Sequence, residues 1–289
     1  VTGIGRRGTV LVGVDDTSHS WLAADWAAME AELRGCPLKV VHAVGRDADS
    51  PHGGTGVGLT EQVLGAAMGV LEDARGRLRA DRPGLSVDTD LARDDPAEAL
   101  VSAAEGAEMV VVGSRGRGGF AGLLLGSVSQ KVVAHADRPV VVVRERTGTA
   151  AGGGVVVGVR DKLDEAAVRF ALAEAGLRRA GVRLIHAWRP TAHTSLAVPE
   201  GSGVEEERQA HARLLNIAAR PIAEFPKIHV DTELIIGSPA AALVEASARA
   251  GLVVLPRHPA EGRLGLRLGT VVHAVLHHAS CPVVVVPVR

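Results

Sequence analysis

Between Val110 and Val133 the chain reads VVVGSRGRGGFAGLLLGSVSQKVV, a β-branched run, a cluster of glycine, arginine and serine, then apolar residues at helical spacing. Glycine weakens regular structure, so a cluster of it points to a tight turn or to backbone N–H groups that come close to an anion. The spacing is Gly113-x-x-Gly116, nine residues, then Gly126-Ser127. Gly113 and Gly116 let the backbone curl near a ligand with no Cβ in the way. Gly126 sits where the loop returns, and Ser127, Val128 and Ser129 open the next helix. Their unpaired N–H groups, the helix dipole and the two hydroxyls together suit a polyphosphate. A handful of charge-assisted hydrogen bonds, each worth about 1.5–3 kcal/mol, supports micromolar binding after entropy losses.

Other chemistries fit less well. A P-loop requires GxxxxGK[ST], and GLLLGS has no lysine and the wrong spacing. A dinucleotide fingerprint can be laid on Gly116-Arg117-Gly118-Gly119-Phe120-Ala121, but it would follow the fourth strand rather than the first. Asp15 has two open roles, cap of the first helix or ligand contact. Arg115 and Arg117 read as solvated cations, with a phosphate role open to Arg115. His273 and His277, four apart with His278 adjacent, lack the glutamate of HExxH and read as an ordinary helix face. No metal ligand and no catalytic residue is assigned. Trp21, Trp26 and Trp188 are expected in a core or interface, and residues 46–58 (RDADSPHGGTGVG) in a mobile loop.

These residues need elements to position them. Val10 to Val14 reads as a buried parallel strand, and Leu22, Trp26, Met29 and Leu33 mark a helix ended at Gly35. Lys39 to Val44 predicts a second strand. Val63, Ala67, Val70, Ala74 and Leu78 mark a long helix stopped near Pro83-Gly84, with a third strand over Leu85 to Leu91. Asp95-Pro96-Ala97-Glu98 has the order of a capping box, opening a helix that runs to about Gly106. Met109 to Val112, Ser127 to His135 and Pro139 to Val143 complete a strand, helix, strand series. Strictly alternating strands and helices predict the α/β class with an open, doubly wound parallel sheet, whose ligands sit at the carboxyl ends of the strands.

The whole series occurs twice. VLVGVDDTSHS answers to VVVGVRDKLDE, DPAEALVSAAEGAEMVVVGS to SPAAALVEASARAGLVVLPR, and LLLGSVSQKVVAHADRPVVVV to LRLGTVVHAVLHHASCPVVVV. A period of roughly 145 residues is the length of a domain. Two domains, 1–146 and 155–289, are expected around a glycine-rich linker at 147–154. Within the 289 residues, 46 % are hydrophobic but only 2 % aromatic, so alanine, valine and leucine must fill the cores. Charge nearly cancels, 32 basic against 33 acidic residues, which argues against nucleic acid or an anionic membrane as partner. Cys36 and Cys281 form no CxxC and read as reduced thiols. With no signal-like N-terminus and no membrane-length apolar run, a cytoplasmic location is expected.

Gly-2x-Gly-9x-Gly-Ser, with VGVDDTSHS on the first strand and DPAEAL before the third helix, resembles the universal stress protein family in its nucleotide-binding subclass. The resemblance spans nearly the whole chain as a tandem pair. It implies two Rossmann-like domains of five parallel strands, adenine nucleotide alpha hydrolase-like, with ATP and Mg²⁺ at the strand ends of a competent copy. Residue by residue, it implies that Gly113, Ser114, Arg115 and Gly116 line ribose and phosphates, and that Gly126, Ser127, Val128 and Ser129 cradle the phosphates. Gly13, Val14 and Asp15 would flank adenine and ribose, and Val41 would contact adenine. The fifth strands, RPVVVVRE and CPVVVVPV, would exchange between the copies, making an internal pseudo-dimer; a homodimer of whole chains is left open.

The second copy departs from this pattern. Gly113 aligns with Pro256, Gly116 with Pro259 and Asp15 with Arg160, while Gly126-Ser127 survives as Gly269-Thr270. Proline removes a donor and fixes φ, so the second copy is expected to bind ATP poorly or not at all. In the first copy, Asp94 stands where the second has Gly237 and would weaken an anionic ligand. The expected function is an ATP-binding stress-response protein that modulates an unidentified protein partner. A nucleotide-free scaffold and a slow ATPase, with Asp15 or Asp16 as distant base candidates, are the alternatives.

Overall fold

The structure, a computed structural model, describes residues 8–45, 56–116, 125–144, 153–190, 202–259 and 268–288, with backbone alone at 56–60 and 202. The mobile loop expected at 46–58, the residues from Arg117 to Ala121 and most of the linker fall wholly or largely outside them. The chain divides into two compact units, Val1–Glu145 and Arg146–Arg289.

The first unit runs β1 (Thr9–Gly13), α1 (Ser18–Arg34), β2 (Leu38–Ala43), α2 (Gly56–Asp81), β3 (Val87–Ala92), α3 (Pro96–Ala103), β4 (Ala107–Gly113), α4 (Ser127–His135) and β5 (Val140–Val143). Its strands are parallel in the order β3-β2-β1-β4-β5. α1 and α2 touch each other on one face, α3 and α4 on the other. This is the outcome of right-handed crossovers that reverse direction after β3. The reversal leaves β1 and β4 side by side, and their carboxyl ends form the switch point where α/β sheets bind ligands. Gly13 ends β1 and Gly113 ends β4.

The second unit repeats the plan with β6 (Val155–Gly158), α5 (Glu165–Arg178), β7 (Val182–Trp188), α6 (Ser202–Ala218), β8 (Val230–Ile236), α7 (Pro239–Ser247), β9 (Leu252–Arg257), α8 (Thr270–His278) and β10 (Val283–Pro287). Its parallel order is β8-β7-β6-β9-β10. The fifth strands do not exchange: β5 pairs with β4 and β10 with β9, each inside its own copy.

The cores are built from the small apolar residues that composition demands. β4, β5, β6 and β9 are built on runs of buried valine, joined by Met109 in β4 and by Leu252 and Leu255 in β9, as strands covered on both faces require. Against them α1 turns Ala23, Ala24, Ala27, Ala28 and Ala31. The stripe Leu22, Met29 and Leu33 instead lies largely exposed. Alanine lets the helix backbone approach the sheet closely, so the inward face is the one poorest in side-chain bulk. Each copy also buries an acid in its first helix, Glu30 and Glu174, paired four residues on with Arg34 and Arg178. Cys36 and Cys281 are buried and form no disulfide, and burial, then the charge of Glu108, pushes the Cys36 thiol up from its ordinary pKa.

Candidate functional site

The turn after β1 is ordered by side-chain hydrogen bonds. Thr17 caps α1, and Ser20 returns the bond to the Thr17 carbonyl at 2.9 Å. Asp15 is therefore not the cap; its Oδ1 accepts from the Thr17 hydroxyl at 2.6 Å and from the Thr17 N–H at 3.3 Å, which holds the capping residue in place. Ser20 Oγ accepts from the Asp15 and Thr17 N–H groups, both at 3.2 Å. Asp16 takes a left-handed φ of 64°, a region that aspartate tolerates better than most residues.

That turn lies against the glycine loop. A Cβ on Gly113 would meet the His19 carbonyl oxygen at 2.7 Å, so glycine is what lets β4 end against the start of α1. A Cβ on Gly116 would lie 2.5 Å from Asp15 Oδ2, which places the Asp15 carboxylate beside the loop. The loop then closes on the next helix: the Gly126 N–H donates to the Ser114 carbonyl at 2.7 Å. A Cβ on Gly126 would touch Arg115 Cα at 3.5 Å and Gly116 N at 3.6 Å. Gly126 begins α4 with no side-chain cap, so among the described residues no side chain caps the first N–H groups of the helix.

The expected site residues thus divide into two groups. Asp15, Gly113, Ser114, Arg115, Gly116, Gly126, Ser127, Val128 and Ser129 come together at the ends of β1 and β4. Gly13, Val14 and Val41 are held by the sheet: a Cβ on Gly13 would strike Leu100 Cδ1 at 2.8 Å, and Val14 and Val41 are buried. The Val14 N–H donates to the Val41 carbonyl at 2.9 Å. The second copy keeps the same glycine for the same reason, since a Cβ on Gly158 would strike Leu243 Cδ1 at 2.9 Å. Nor are both serine hydroxyls spare donors, because buried Ser129 gives its hydrogen to the Gly113 carbonyl at 2.6 Å. Asp94 Oδ1 accepts from the Asp95 N–H at 2.8 Å, at the start of α3.

Two residues here were not picked out from the sequence. Burial, and then the charge of Arg115, holds the Arg144 guanidinium below its ordinary pKa. Arg144 follows β5 and brings a second cation near the loop. No local pattern marks it, because its neighbour is set by the pairing of β5 with β4. His42 Nδ1 lies 2.6 Å from the Val14 carbonyl, which can only accept, so that nitrogen carries the proton. His186 makes the same bond to Val159 at 2.8 Å. The recurrence of histidine in VVHAV and LIHAW was the available signal.

The second copy builds its edge from different groups. Its turn is one residue shorter, starts α5 through a 3₁₀ turn at Lys162–Asp164, and puts the buried Asp164 carboxylate where Ser20 stands. Asp164 Oδ2 accepts from the Arg160 and Asp161 N–H groups. Burial pushes its carboxyl up from the ordinary pKa, against the lowering by those N–H groups and by His258. Pro256 ends the buried stretch of β9, and a Cβ on Gly269 would meet nothing within 4 Å among the described residues, unlike Gly126. His273 and His277 stack with ring centroids 4.3 Å apart.

The comparisons with known proteins agree with this architecture. The family profile described as "Universal stress protein family" matches residues 6–144 and again 154–287. Universal stress protein Rv2005c of Mycobacterium tuberculosis is 35 % identical over 288 residues, covering 96 % of each chain. Universal stress protein Rv2623 of the same organism is 31 % identical over 296 residues, covering 96 % of this chain and 95 % of its own. Among solved structures, a universal stress protein from Archaeoglobus fulgidus superposes with a TM-score of 0.72 at 17 % identity, covering 98 % of this chain and 99 % of the other. With both halves matched and close relatives aligned end to end, the chain belongs to the universal stress protein family.

Proposed function

We propose that the first domain binds ATP, accompanied by Mg²⁺, and that nucleotide occupancy governs how this cytoplasmic stress-response protein engages a partner. The observation that carries the reading is the start of α4: among the described residues its N-terminal amides have no side-chain cap, and the loop backbone at Ser114–Gly116 is folded onto Gly126. A triphosphate suits that donor set, because helix N-terminal N–H groups and the dipole both favour anions. Arg115 and Arg144 add positive charge near the loop. Ser127, exposed at the first position of α4, offers a further hydroxyl.

Asp15 would take a different part. Its carboxylate is held beside Gly116 by Thr17 and accepts rather than donates, which suits ribose hydroxyls or a phosphate-bound Mg²⁺. Gly13, Val14 and Val41 would shape the floor through packing. The chemistry supplied by the nucleotide is its own phosphoanhydride; the protein binds and orients it, and no residue is assigned as a base.

Isothermal titration of the full chain with Mg-ATP tests this directly. The wild type is expected to bind, and Gly116→Pro to lose at least about tenfold in affinity, equivalent to roughly 1.4 kcal/mol. Equal affinity in the two proteins would remove the loop from the site.

A further inference from the structure

At the switch point of the second copy three side chains meet, two of which, Asp164 and His258, have no like residue in the first. Asp161 and Asp164 stand in the turn after β6, and His258 follows β9. One ligand atom from each lies within 4.8 Å of the others. His258 aligns with Arg115, and the Asp164 carboxylate accepts from turn N–H groups as the Ser20 hydroxyl does, so a guanidinium and a hydroxyl in one copy are an imidazole and a carboxylate in the other.

Asp164 is the decisive residue. Its side chain is 0 % exposed, and Oδ2 is used by two backbone N–H groups. Oδ1 is also buried and accepts no hydrogen bond among the described residues. His258 Nε2, also buried, lies 2.8 Å from Oδ1 at ion-pair distance, and neither atom makes a hydrogen bond among the described residues. A buried carboxylate oxygen left in this condition is costly. Two ligand atoms on one tetrahedral ion, each about 2.0–2.2 Å from it, stand about 3.3–3.6 Å apart, so the 2.8 Å pair would open by about half an ångström or more to admit the ion. Asp161 Oδ2 lies 3.9 Å from Nδ1 of the same ring and 3.4 Å from Arg160 Nε. Asp161 Oδ1 accepts from the Leu163 N–H at 2.8 Å, which fixes the carboxylate.

We infer that Asp161, Asp164 and His258 form a divalent transition-metal site in the second domain. Two carboxylates and one imidazole match Zn²⁺, whose sites commonly combine histidine with carboxylate. Ca²⁺ and Mg²⁺ favour oxygen alone. A three-residue donor set leaves a coordination position for water or an anion, so the metal would replace main-chain amides as the anion-attracting element of this copy.

Dialysis of the full chain against ZnCl₂, followed by metal analysis, is expected to show one retained equivalent, and Co²⁺ in its place is expected to give the visible bands of a bound ion. His258→Gln, at the rim of the site, should weaken metal binding by about 100-fold or more while leaving Mg-ATP titration of the first domain unchanged. Asp164→Asn should do the same if it folds; His258→Gln decides the matter if it does not. No stoichiometric Zn²⁺ or Co²⁺, or retention of both by His258→Gln, would overturn the assignment. So would a metal-insensitive His258 imidazole signal in NMR, which would mark a plain ion pair with Asp164.

Discussion

Glycines that look alike in the motif do different work. Gly113 faces the backbone of α1, with the His19 carbonyl oxygen 2.7 Å from its would-be Cβ, and that neighbour cannot rotate away. Gly13 faces the end of the Leu100 side chain, which has rotamers to use. Gly113→Ala is therefore expected to destabilise the protein by about 1–3 kcal/mol, and Gly13→Ala by less, in urea unfolding midpoints. If both variants unfold at the wild-type midpoint, the packing reason for these glycines is wrong. Asp15 shows a similar refinement: the turn gives the cap to Thr17 and uses Asp15 to hold it, which leaves one carboxylate oxygen facing Gly116.

Helix starts set the chemistry one level up. α3 begins at Asp95, whose Oδ1 accepts from the Ala97 and Glu98 N–H groups at 3.0 and 3.3 Å, whereas α4 begins at glycine with no side-chain cap. α3 is thus closed by its own side chain, whereas α4, like α8 at Gly269 in the second copy, has no side-chain cap among the described residues. Partial burial would raise the Asp95 carboxyl, but the Glu98 and Ala97 N–H groups and the Lys131 ammonium outweigh it, and the pKa falls below the ordinary value. A lowered pKa stabilises the fold above the unfolded carboxylate range and ceases to do so as pH falls through the folded value. Asp95→Ala should cost about 1 kcal/mol at pH 7. That difference from wild type should shrink in acid, below about pH 4, in unfolding curves recorded against pH. A gap independent of pH would mean that the carboxylate is not the capping group.

On the scale of the chain, one fold occurs twice with opposite edges. Pro256 and Pro259 replace glycines, Arg160 replaces Asp15, and buried Asp164 enters where the first copy has a serine. If both copies carried the site proposed for the first, the chain would bind two nucleotides. Calorimetry is expected to give one ATP per chain, and a stoichiometry of two would contradict the division of roles. No helix among the described residues is long and apolar enough to cross a membrane.

Much of this was legible in the primary structure. The repeat, the strand and helix alternation and the Gly113, Gly116 and Gly126-Ser127 spacing depend on local backbone sterics and periodicity, which any stretch of chain carries by itself. Contacts between distant residues were not legible. That Leu100 covers Gly13, that Arg144 comes near Arg115, that alanines rather than leucines of α1 face the sheet, and that His258 meets Asp164 all follow from strand order and helix placement. Those neighbours are separated by tens of residues along the chain, and only the packed sheet, by placing β1 against β4 and β6 against β9, decides which of them touch.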